Sequence, residues 1–143
     1  MVLDSKIVNI FRSNGFKATP QRIVITQTVL KSKNHPTAEE VFEEVQQINP
    51  TLSLSTVYNT LNILKEMNLV NELAFNETSR FDPNTKPHIN LVCEKCGKII
   101  DAEDKSLEGI IKRVSEENNF VITGHRIDLY GQCKMCSRKS DRY

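Results

Sequence analysis

The fold of this chain is decided by residues 37–67, which read TAEEVFEEVQQINPTLSLSTVYNTLNILKEM. Thr37 and Glu40 match a capping box, in which each side chain bonds the backbone N–H of the other residue, so they predict the start of a helix. The apolar stripe of that helix is Val41, Phe42, Val45 and Ile48. The pair Asn49-Pro50 predicts its end.

A second helix follows after a short turn. Ser53 or Ser55 is suited to cap its start, and it extends to about Met67. Its inward face holds Val57, Leu61 and Leu64. The polar side chains near its N-terminus that are candidates for contacting DNA are Ser55, Thr56, Tyr58 and Asn59. Because an Asn amide can pair edge-on with adenine, this is predicted to be the DNA-reading helix of a helix-turn-helix. An ordinary solvated helix face is the alternative.

The elements around this motif follow from periodicity and end signals. A first helix ends at Gly15, and a second is capped by Thr19 with Pro20 at its first position. After the DNA-reading helix, segments 69–75 and 79–82 alternate as strands do and flank the polar turn Asn76-Glu77-Thr78. This predicted β-hairpin makes the helix-turn-helix winged.

Basic residues are concentrated at the start of the chain. Residues 1–38 contain six Lys and Arg side chains against Asp4, a local net charge of +5, although the whole chain carries only +1. A basic face is what contact with phosphates requires, so Lys17 and Arg22 are predicted to contact DNA. A solvated helix face is again the alternative.

The second half is predicted to mix strands with a helix. Residues 83–87, Pro-Asn-Thr-Lys-Pro, are typical of a linker. The predicted elements beyond it are strands near 89–92 and 98–101, a helix near 106–118 and a last strand at 120–130. The sequence therefore predicts an α+β protein with an N-terminal domain at 1–82, a linker at 83–87 and a C-terminal domain at 88–143.

Four cysteines form two Cys-x-x-Cys pairs, Cys93/Cys96 and Cys133/Cys136, separated by 36 residues. Two residues between paired thiolates allow both sulfurs to reach one ion, and two pairs complete the closed shell of a structural Zn²⁺. Two disulfides are the alternative, which the absence of a secretory signal disfavours. A thioredoxin-type redox pair requires a cysteine at a helix N-terminus, whereas Cys93-Glu-Lys-Cys96 is predicted to be a turn.

The composition limits the remaining classes of function. The chain has 143 residues, 38% of them hydrophobic, and no tryptophan, which suits one ordinary domain or two small ones. No apolar run reaches the roughly 18 residues that a membrane span needs. Thiols kept as metal ligands, with no targeting segment, predict a cytoplasmic protein without membrane contact.

Five motifs occur in a fixed order along nearly the whole chain. They are Lys17-Ala-Thr-Pro-Gln-Arg22, His35-Pro-Thr-Ala-Glu-Glu40, Ser55-Thr-Val-Tyr-Asn-Thr-Leu61, Cys93-Glu-Lys-Cys96-Gly-Lys98 and Tyr130-Gly-Gln-Cys133-Lys-Met-Cys136. The set resembles the ferric uptake regulator family of metal-dependent repressors. The resemblance implies a winged-helix DNA-binding domain, a C-terminal α/β dimerisation domain with structural zinc, and a regulatory metal between them. It also implies a homodimer that binds a double-stranded operator with inverted half-sites.

A second metal site is predicted from the three histidines of the chain, His35, His88 and His125. His35 and His88 with Asp82 and Asp101 give a mixed nitrogen and oxygen set that suits Fe²⁺, Mn²⁺ or Zn²⁺. Matching the family motif by position assigns these four residues together to a regulatory Fe²⁺ or Mn²⁺.

Position 90 departs from the family pattern, His-x-His-x-x-Cys, since this chain has Asn90 where the second histidine stands. Its amide oxygen is a neutral, weaker and harder donor than imidazole. Four alternatives are open: a lower affinity, a preference for Mn²⁺, Asn90 as a weak ligand of the regulatory metal, or water in its place.

A further site known in some members is predicted to be absent. Glu108 and His125 match two of its ligands, but Pro87 and Ile89 stand where a histidine and an aspartate are needed. His125 is therefore predicted to be structural, on the last strand. Residues 82–84 contain no cysteine, which argues against the zinc-sensing branch.

The resulting prediction is a metal-dependent repressor, not an enzyme. Asp82, Asp101 and the pair Tyr58-Asn59 are similar to the peroxide-sensing branch, in which peroxide would oxidise His35 or His88 on bound iron. One alternative is an iron- or manganese-sensing repressor without peroxide sensing. The others are a metallohydrolase, whose helical His-Glu-x-x-His the sequence lacks, and a zinc-ribbon adaptor.

Overall fold

The computed structural model describes residues 2–75 and 77–140, which form two compact units. The first unit extends to Thr85, and the second starts at Lys86. Asn76, in the predicted hairpin turn, lies outside the described residues. Among the residues that are described, no helix is long and apolar enough to cross a membrane.

The first unit is a bundle of four helices followed by a hairpin. Its elements are α1 (Val2–Ser13), α2 (Pro20–Lys31), α3 (Ala38–Ile48), α4 (Leu54–Glu66), β1 (Asn71–Phe75) and β2 (Thr78–Asp82). The two strands pair antiparallel, with Asn71 opposite Asp82 and Phe75 opposite Thr78. Helices α3 and α4 with this hairpin confirm the predicted winged helix-turn-helix.

Local capping explains where these helices begin. The Thr19 side chain accepts the N–H of Arg22 ahead of α2. The Thr37 hydroxyl and the Glu40 carboxylate form the complete capping box at α3. At α4 the cap is Ser53 and not Ser55, since the Ser53 hydroxyl oxygen accepts the Thr56 N–H at 3.2 Å. A cap of this kind stabilises a helix by about 1 kcal/mol.

The core of the first unit is formed by side chains from all four helices and from β2. Its buried apolar members include Phe11, Ile25, Val29, Val41, Val45, Val57, Leu61, Leu64 and Phe81. Phe81 packs the hairpin against the helices, and burying a side chain of this size stabilises the fold by roughly 1.5–3 kcal/mol.

The prediction that Ile48 belongs to the buried stripe of α3 is wrong. Ile48 is 68% exposed, and Leu52 in the following turn is 2% exposed and fills the core instead.

The second unit is a small sheet with two helices. Its elements are β3 (Ile89–Cys93), β4 (Ile99–Ala102), α5 (Leu107–Glu117), β5 (Ile127–Gly131) and α6 (Lys134–Ser140). The strand order is β4-β3-β5, with β3 antiparallel to β4 and parallel to β5. The parallel register places Asn90 beside Asp128 and Cys93 beside Gly131.

The last strand and the last helix of the second unit differ from the prediction. The last strand begins at Ile127 and not at residue 120, because β3, with which it pairs, is five residues long and pairs with 127–131. Residues 121–126 belong to no described helix or strand, so exposed His125 does not lie on the last strand as predicted. Helix α6 was not predicted at all, because it is short and carries no apolar stripe.

Candidate metal centres and nucleic-acid interface

The four cysteines converge in the second unit. Their sulfur atoms all lie within 4.8 Å of one another, and the Cys96 and Cys133 sulfurs are 3.8 Å apart. None of the four, all of which are in the described part of the chain, forms a disulfide. A tetrahedral zinc with Zn–S bonds of about 2.3 Å separates its sulfurs by roughly 3.8 Å. The donor set and its spacing therefore fit a structural zinc.

The pKa values of these thiols also indicate a cation site. The N–H of Cys133 donates to the Cys93 sulfur at 3.3 Å and, with the N–H groups of Cys96 and Lys95, lowers the pKa of Cys93 to about 6. The sulfur of Cys133 has the opposite effect on Cys136, whose pKa it raises to about 12. Four thiolates this close repel one another, so full deprotonation needs a divalent cation among them.

Cys133 immediately precedes α6 and Cys136 lies in its first turn, where the Cys136 N–H lowers the pKa of Cys133. This pair therefore lies at a helix start, the location that a redox pair prefers. The proximity of the other two sulfurs distinguishes the cluster from such a pair, because a redox motif needs only two cysteines.

Two candidate ligands of the regulatory metal meet in the first unit. His35 lies in the loop before α3 and Asp82 ends β2, and both are buried. The His35 Nε2 is 3.7 Å from the Asp82 Oδ2, while Asp82 Oδ1 accepts the backbone N–H of Asn84 at 2.8 Å. Burying a carboxylate is costly unless a positive charge or hydrogen bonds compensate it, so the pair is suited to hold a cation.

Backbone contacts fix the loop of His35 against the strand of Asp82. The Phe81 N–H donates to the Pro36 carbonyl oxygen at 2.9 Å, and Thr37 forms an isolated antiparallel bridge with Arg80. His35 itself has φ +49°, in the left-handed region that costs a non-glycine residue about 1–2 kcal/mol. These contacts hold an unfavourable backbone conformation at a candidate ligand.

The other three candidate ligands lie in the second unit. His88 and Asn90 are buried at the start of β3, and Asp101 is in the neighbouring strand β4, directly opposite Asn90. The His88 Nε2 is 3.1 Å from the Asn90 Oδ1 and 3.6 Å from the Asp101 Oδ1. Two oxygens from neighbouring strands therefore lie close to one imidazole nitrogen.

The contact of the second ring nitrogen of His88, Nδ1, shows which nitrogen carries a proton. Nδ1 lies 2.7 Å from the carbonyl oxygen of Lys86, which can only accept, so Nδ1 carries a proton. In a neutral imidazole, Nε2 then presents a lone pair to the amide oxygen of Asn90, and two acceptors at that distance repel. A cation between them removes the repulsion, so this set also fits a metal ion.

A residue that the sequence did not indicate completes this cluster. Asp128 in β5 accepts the Asn90 amide Nδ2–H at 3.0 Å, and its other oxygen accepts from Arg126 and from the Tyr130 hydroxyl. Burial raises the pKa of Asp128, but the hydrogen bonds from Arg126 and Asn90 outweigh burial and lower the pKa below its usual value. Only the parallel register of β3 and β5 brings Asp128 to Asn90, and that register cannot be read from spacing.

The polar side chains predicted on the DNA-reading helix are on the surface of α4. Ser55, Tyr58 and Asn59 are exposed and Thr56 is half-buried. The Tyr58 hydroxyl donates to the Glu39 carboxylate at 2.5 Å, which lowers the pKa of Glu39 and raises that of Tyr58. This bond joins α3 to α4 and was not predicted. The hydroxyl of Tyr58 therefore already donates to a residue of the same chain.

The two basic candidates for DNA contact are adjacent in the loop and first turn of α2. Lys17 is exposed, whereas Arg22 is half-buried and its Nη1 donates to the Lys17 carbonyl oxygen at 2.8 Å. Arg22 therefore braces the loop between α1 and α2, and the Lys17 ammonium is the more accessible charge of the pair.

Comparisons with known proteins identify relatives that match most of the chain. The sequence profile described as the ferric uptake regulator family matches residues 13–130. The peroxide-responsive repressor PerR of Staphylococcus epidermidis is 37% identical over 131 residues, which cover 91% of this chain and 87% of that protein. The solved structure of the Pseudomonas aeruginosa ferric uptake regulator with manganese has a TM-score of 0.78 at 26% identity, covering 94% of this chain and 99% of that one. The Campylobacter jejuni peroxide stress regulator has a TM-score of 0.75 at 31% identity, covering 91% and 98%.

Proposed function

Because the chain belongs to the ferric uptake regulator family, a family of metal-responsive regulators, we propose that it is a metal-dependent, DNA-binding transcriptional repressor that responds to peroxide. The observation that carries this proposal is that each unit holds an incomplete set of largely buried metal-binding side chains. His35 and Asp82 form one set, and His88, Asn90 and Asp101 form the other.

One regulatory Fe²⁺ or Mn²⁺ is proposed to bind both sets. Two protein ligands seldom hold such an ion alone, and the two sets together offer two imidazole nitrogens and three oxygens. The residues of each unit would then be restrained by the ion that they share with the other unit. Since the ion binds better when all five donors can reach it, metal and DNA binding favour the same arrangement and strengthen each other by linkage.

The proposed DNA contacts lie in the first unit. The N-terminal part of α4 presents Ser55, Thr56, Tyr58 and Asn59, and the preceding basic segment adds Lys17 and Arg22. Asn59 is suited to read a base edge in the major groove, whereas Lys17 is suited to contact phosphate. The double-stranded operator would contain one such half-site for each α4 helix.

A homodimer with inverted half-sites is supported by the surface of the second unit. Large apolar side chains are exposed on its sheet and around α5, namely Leu91, Ile100, Ile110, Val114, Phe120, Val121 and Leu129. A patch of this kind indicates a protein partner, and a second copy of the chain would cover it with the same surface. The structural zinc bound by the four cysteines would stabilise the unit that carries this interface.

Peroxide sensing is proposed to act on the histidine ligands. Fe²⁺ bound at the regulatory site would supply the electrons that activate peroxide. His35 and His88 lie nearest to that chemistry as the imidazole ligands. In the net reaction an imidazole carbon exchanges its hydrogen for a hydroxyl from hydrogen peroxide, and the remaining atoms leave as one water molecule. The oxidised ring is a poor ligand, so the ion and then the DNA would be released.

Selection of bound sequences from random duplexes, with and without added Mn²⁺ in the zinc-containing protein, tests this function. We expect an inverted repeat to be enriched only when Mn²⁺ is present, and the enrichment to be lost in His35→Ala. His125→Ala is the matched control, because it removes an exposed imidazole outside the proposed ligand set. Enrichment that is equal without Mn²⁺, or no enrichment at all, would contradict metal-dependent repression.

A further inference from the structure

Position 90 contributes an amide in place of an imidazole. Either ring nitrogen of an imidazole can bind a metal ion. An amide has two different ends, an oxygen that can ligate and an NH₂ group that cannot. Whether Asn90 helps or hinders the site therefore depends on which end faces His88 and Asp101. In β3 the residue beside Asn90 on the β5 side is Asp128, and the residue on the β4 side is Asp101.

The contacts of Asp128 decide this orientation. Arg126 donates its Nε–H to Oδ2 at 2.8 Å, its Nη2 is 2.7 Å from the same oxygen, and the Tyr130 hydroxyl donates to it at 3.2 Å. The positive charge of the adjacent guanidinium favours the ionised carboxylate, which can only accept hydrogen bonds. Its Oδ1 must therefore receive the NH₂ end of Asn90, at 3.0 Å, and the oxygen end is left facing His88 Nε2 at 3.1 Å.

We propose that Asp128 is a positioning residue that keeps the amide oxygen of Asn90 turned toward the regulatory cation, so that Asn90 serves as an oxygen ligand. This inference rests on the proposed function, since it takes the ion to bind at His88 and Asp101. Asp128 acts from outside the ligand set, as hydrogen-bonded carboxylates do behind metal-binding histidines. The group that it orients here is an amide.

Removal of the negative charge at 128 has a specific consequence. The side chain in Asp128→Asn would keep its oxygen on Arg126 and present its own NH₂ to Asn90. Asn90 would then rotate so that its oxygen accepts from residue 128 and its NH₂ donates to the lone pair of His88 Nε2. That arrangement gives both ends of the Asn90 amide a partner while it occupies the nitrogen that should bind the metal.

Exchange of the two side chains should reverse the loss. In the double variant Asn90→Asp/Asp128→Asn, residue 128 donates to one carboxylate oxygen of residue 90, and the other oxygen faces the cation. A carboxylate has no wrong end, and the net charge of the pair is unchanged. The double variant therefore separates orientation at position 90 from the mere presence of a charge at position 128.

The experiment measures Mn²⁺ binding to the full zinc-containing protein, with free Mn²⁺ quantified from its electron paramagnetic resonance signal. We expect Asp128→Asn to weaken Mn²⁺ binding by about 10- to 100-fold, the range typical of lost outer-shell partners. The double variant should restore binding to the wild-type level or above it. Glu117→Gln, which removes an exposed carboxylate from α5, is the charge-matched control and should bind as the wild type does. Zinc content and circular dichroism of each variant show whether it has folded.

The outcomes separate this inference from the function on which it rests. If the wild-type protein takes up no Mn²⁺, or His88→Ala binds it as well as the wild type, the regulatory site is wrong and this inference falls with it. If His88→Ala abolishes binding while Asp128→Asn leaves it unchanged, only the role of Asp128 is wrong. A folded double variant that remains as weak as Asp128→Asn also overturns the orientation argument, because a carboxylate at 90 should then have restored a ligand.

Discussion

The guanidinium of Arg80 donates from Nη1 to the main-chain carbonyl oxygen of His35 at 3.2 Å. Arg80 is two residues before Asp82 on β2, and it also forms the backbone bridge with Thr37. One residue therefore ties the left-handed backbone of one candidate ligand to the strand that carries another. This tie adds to the backbone contact between Phe81 and Pro36 that holds His35 beside Asp82, two residues from different segments of the chain.

Replacement of Arg80 by alanine should loosen that tie. We expect the free energy of unfolding to fall by about 1–2 kcal/mol, because a partly buried charged hydrogen bond to a carbonyl is lost. Chemical denaturation followed by circular dichroism measures the change. Arg113→Ala, which removes an exposed guanidinium on α5, should change stability little. Equal effects of the two substitutions would mean that the Arg80 contact does not stabilise the loop.

The zinc cluster gives a second prediction. Cys96→Ser should release the stoichiometric zinc and destabilise the second unit, because three thiolates bind zinc much more weakly than four and the binding energy contributes to folding. Metal analysis and thermal unfolding measure both effects, and Cys136→Ser should behave in the same way. Wild-type protein treated with a chelator is the reference for complete loss. A Cys96→Ser protein that is stable, dimeric and free of zinc would contradict a structural role.

The helices of the first unit could be predicted because their signals are local. The caps at Thr19, Thr37 and Ser53 act on residues three positions away, so the sequence alone places the helix starts. Ile48 was misassigned because its position fits the period of the apolar stripe of α3. Burial in the last turn of a helix also depends on which neighbouring side chain packs there, and here that side chain is Leu52. The start of β5 was set by the length of its partner β3, which is not a local property.

The candidate ligands could be predicted by residue type and by the family motif, but the residues that position them could not. Arg80 reaches His35 across 45 positions of the chain, and Asp128 reaches Asn90 across 38. The first contact accompanies the isolated bridge between Thr37 and Arg80, and the second depends on the register of β3 and β5. The bond from Tyr58 to Glu39 was missed for a related reason, because the angle between α3 and α4 decides which polar side chains meet.

Asn59 should contribute to sequence preference. Asn59→Ala is expected to cost about 1–3 kcal/mol at one base-pair position and to relax the preference there, since a bidentate contact to a base edge is lost. Binding to a library of single-base operator variants measures it. Tyr58→Phe is the contrasting variant: loss of its bond to Glu39 should weaken binding to all operators alike, because that bond holds α3 against α4. A uniform loss in Asn59→Ala would make Asn59 a backbone contact.

Asn90→His should strengthen the regulatory site. Imidazole is a better donor than an amide oxygen to Fe²⁺ or Mn²⁺, and Asp128 is placed to accept the second ring N–H, as carboxylates do behind metal-binding histidines. We expect tighter Mn²⁺ binding in a calorimetric titration and a lower Mn²⁺ concentration for half-maximal DNA binding. Unchanged affinity in a folded variant would mean that position 90 does not face the ion.

The last prediction concerns the signal. Exposure of the Fe²⁺-loaded protein to hydrogen peroxide should add one oxygen atom to peptides that contain His35 or His88, because these are the imidazoles assigned to the ion. The peptide that contains His125 is an internal control, since that side chain is exposed and lies outside the proposed ligand set, so diffusing oxidants would reach it first. Mn²⁺-loaded protein should remain unmodified, because Mn²⁺ does not readily give up the electron that peroxide activation needs. Mass spectrometry of the digested protein and DNA binding of the undigested sample follow the same reaction.

Modification of His125 alone would indicate oxidation in bulk solution. Unmodified His35 and His88 with intact DNA binding would leave a metal-dependent repressor whose signal is the metal itself.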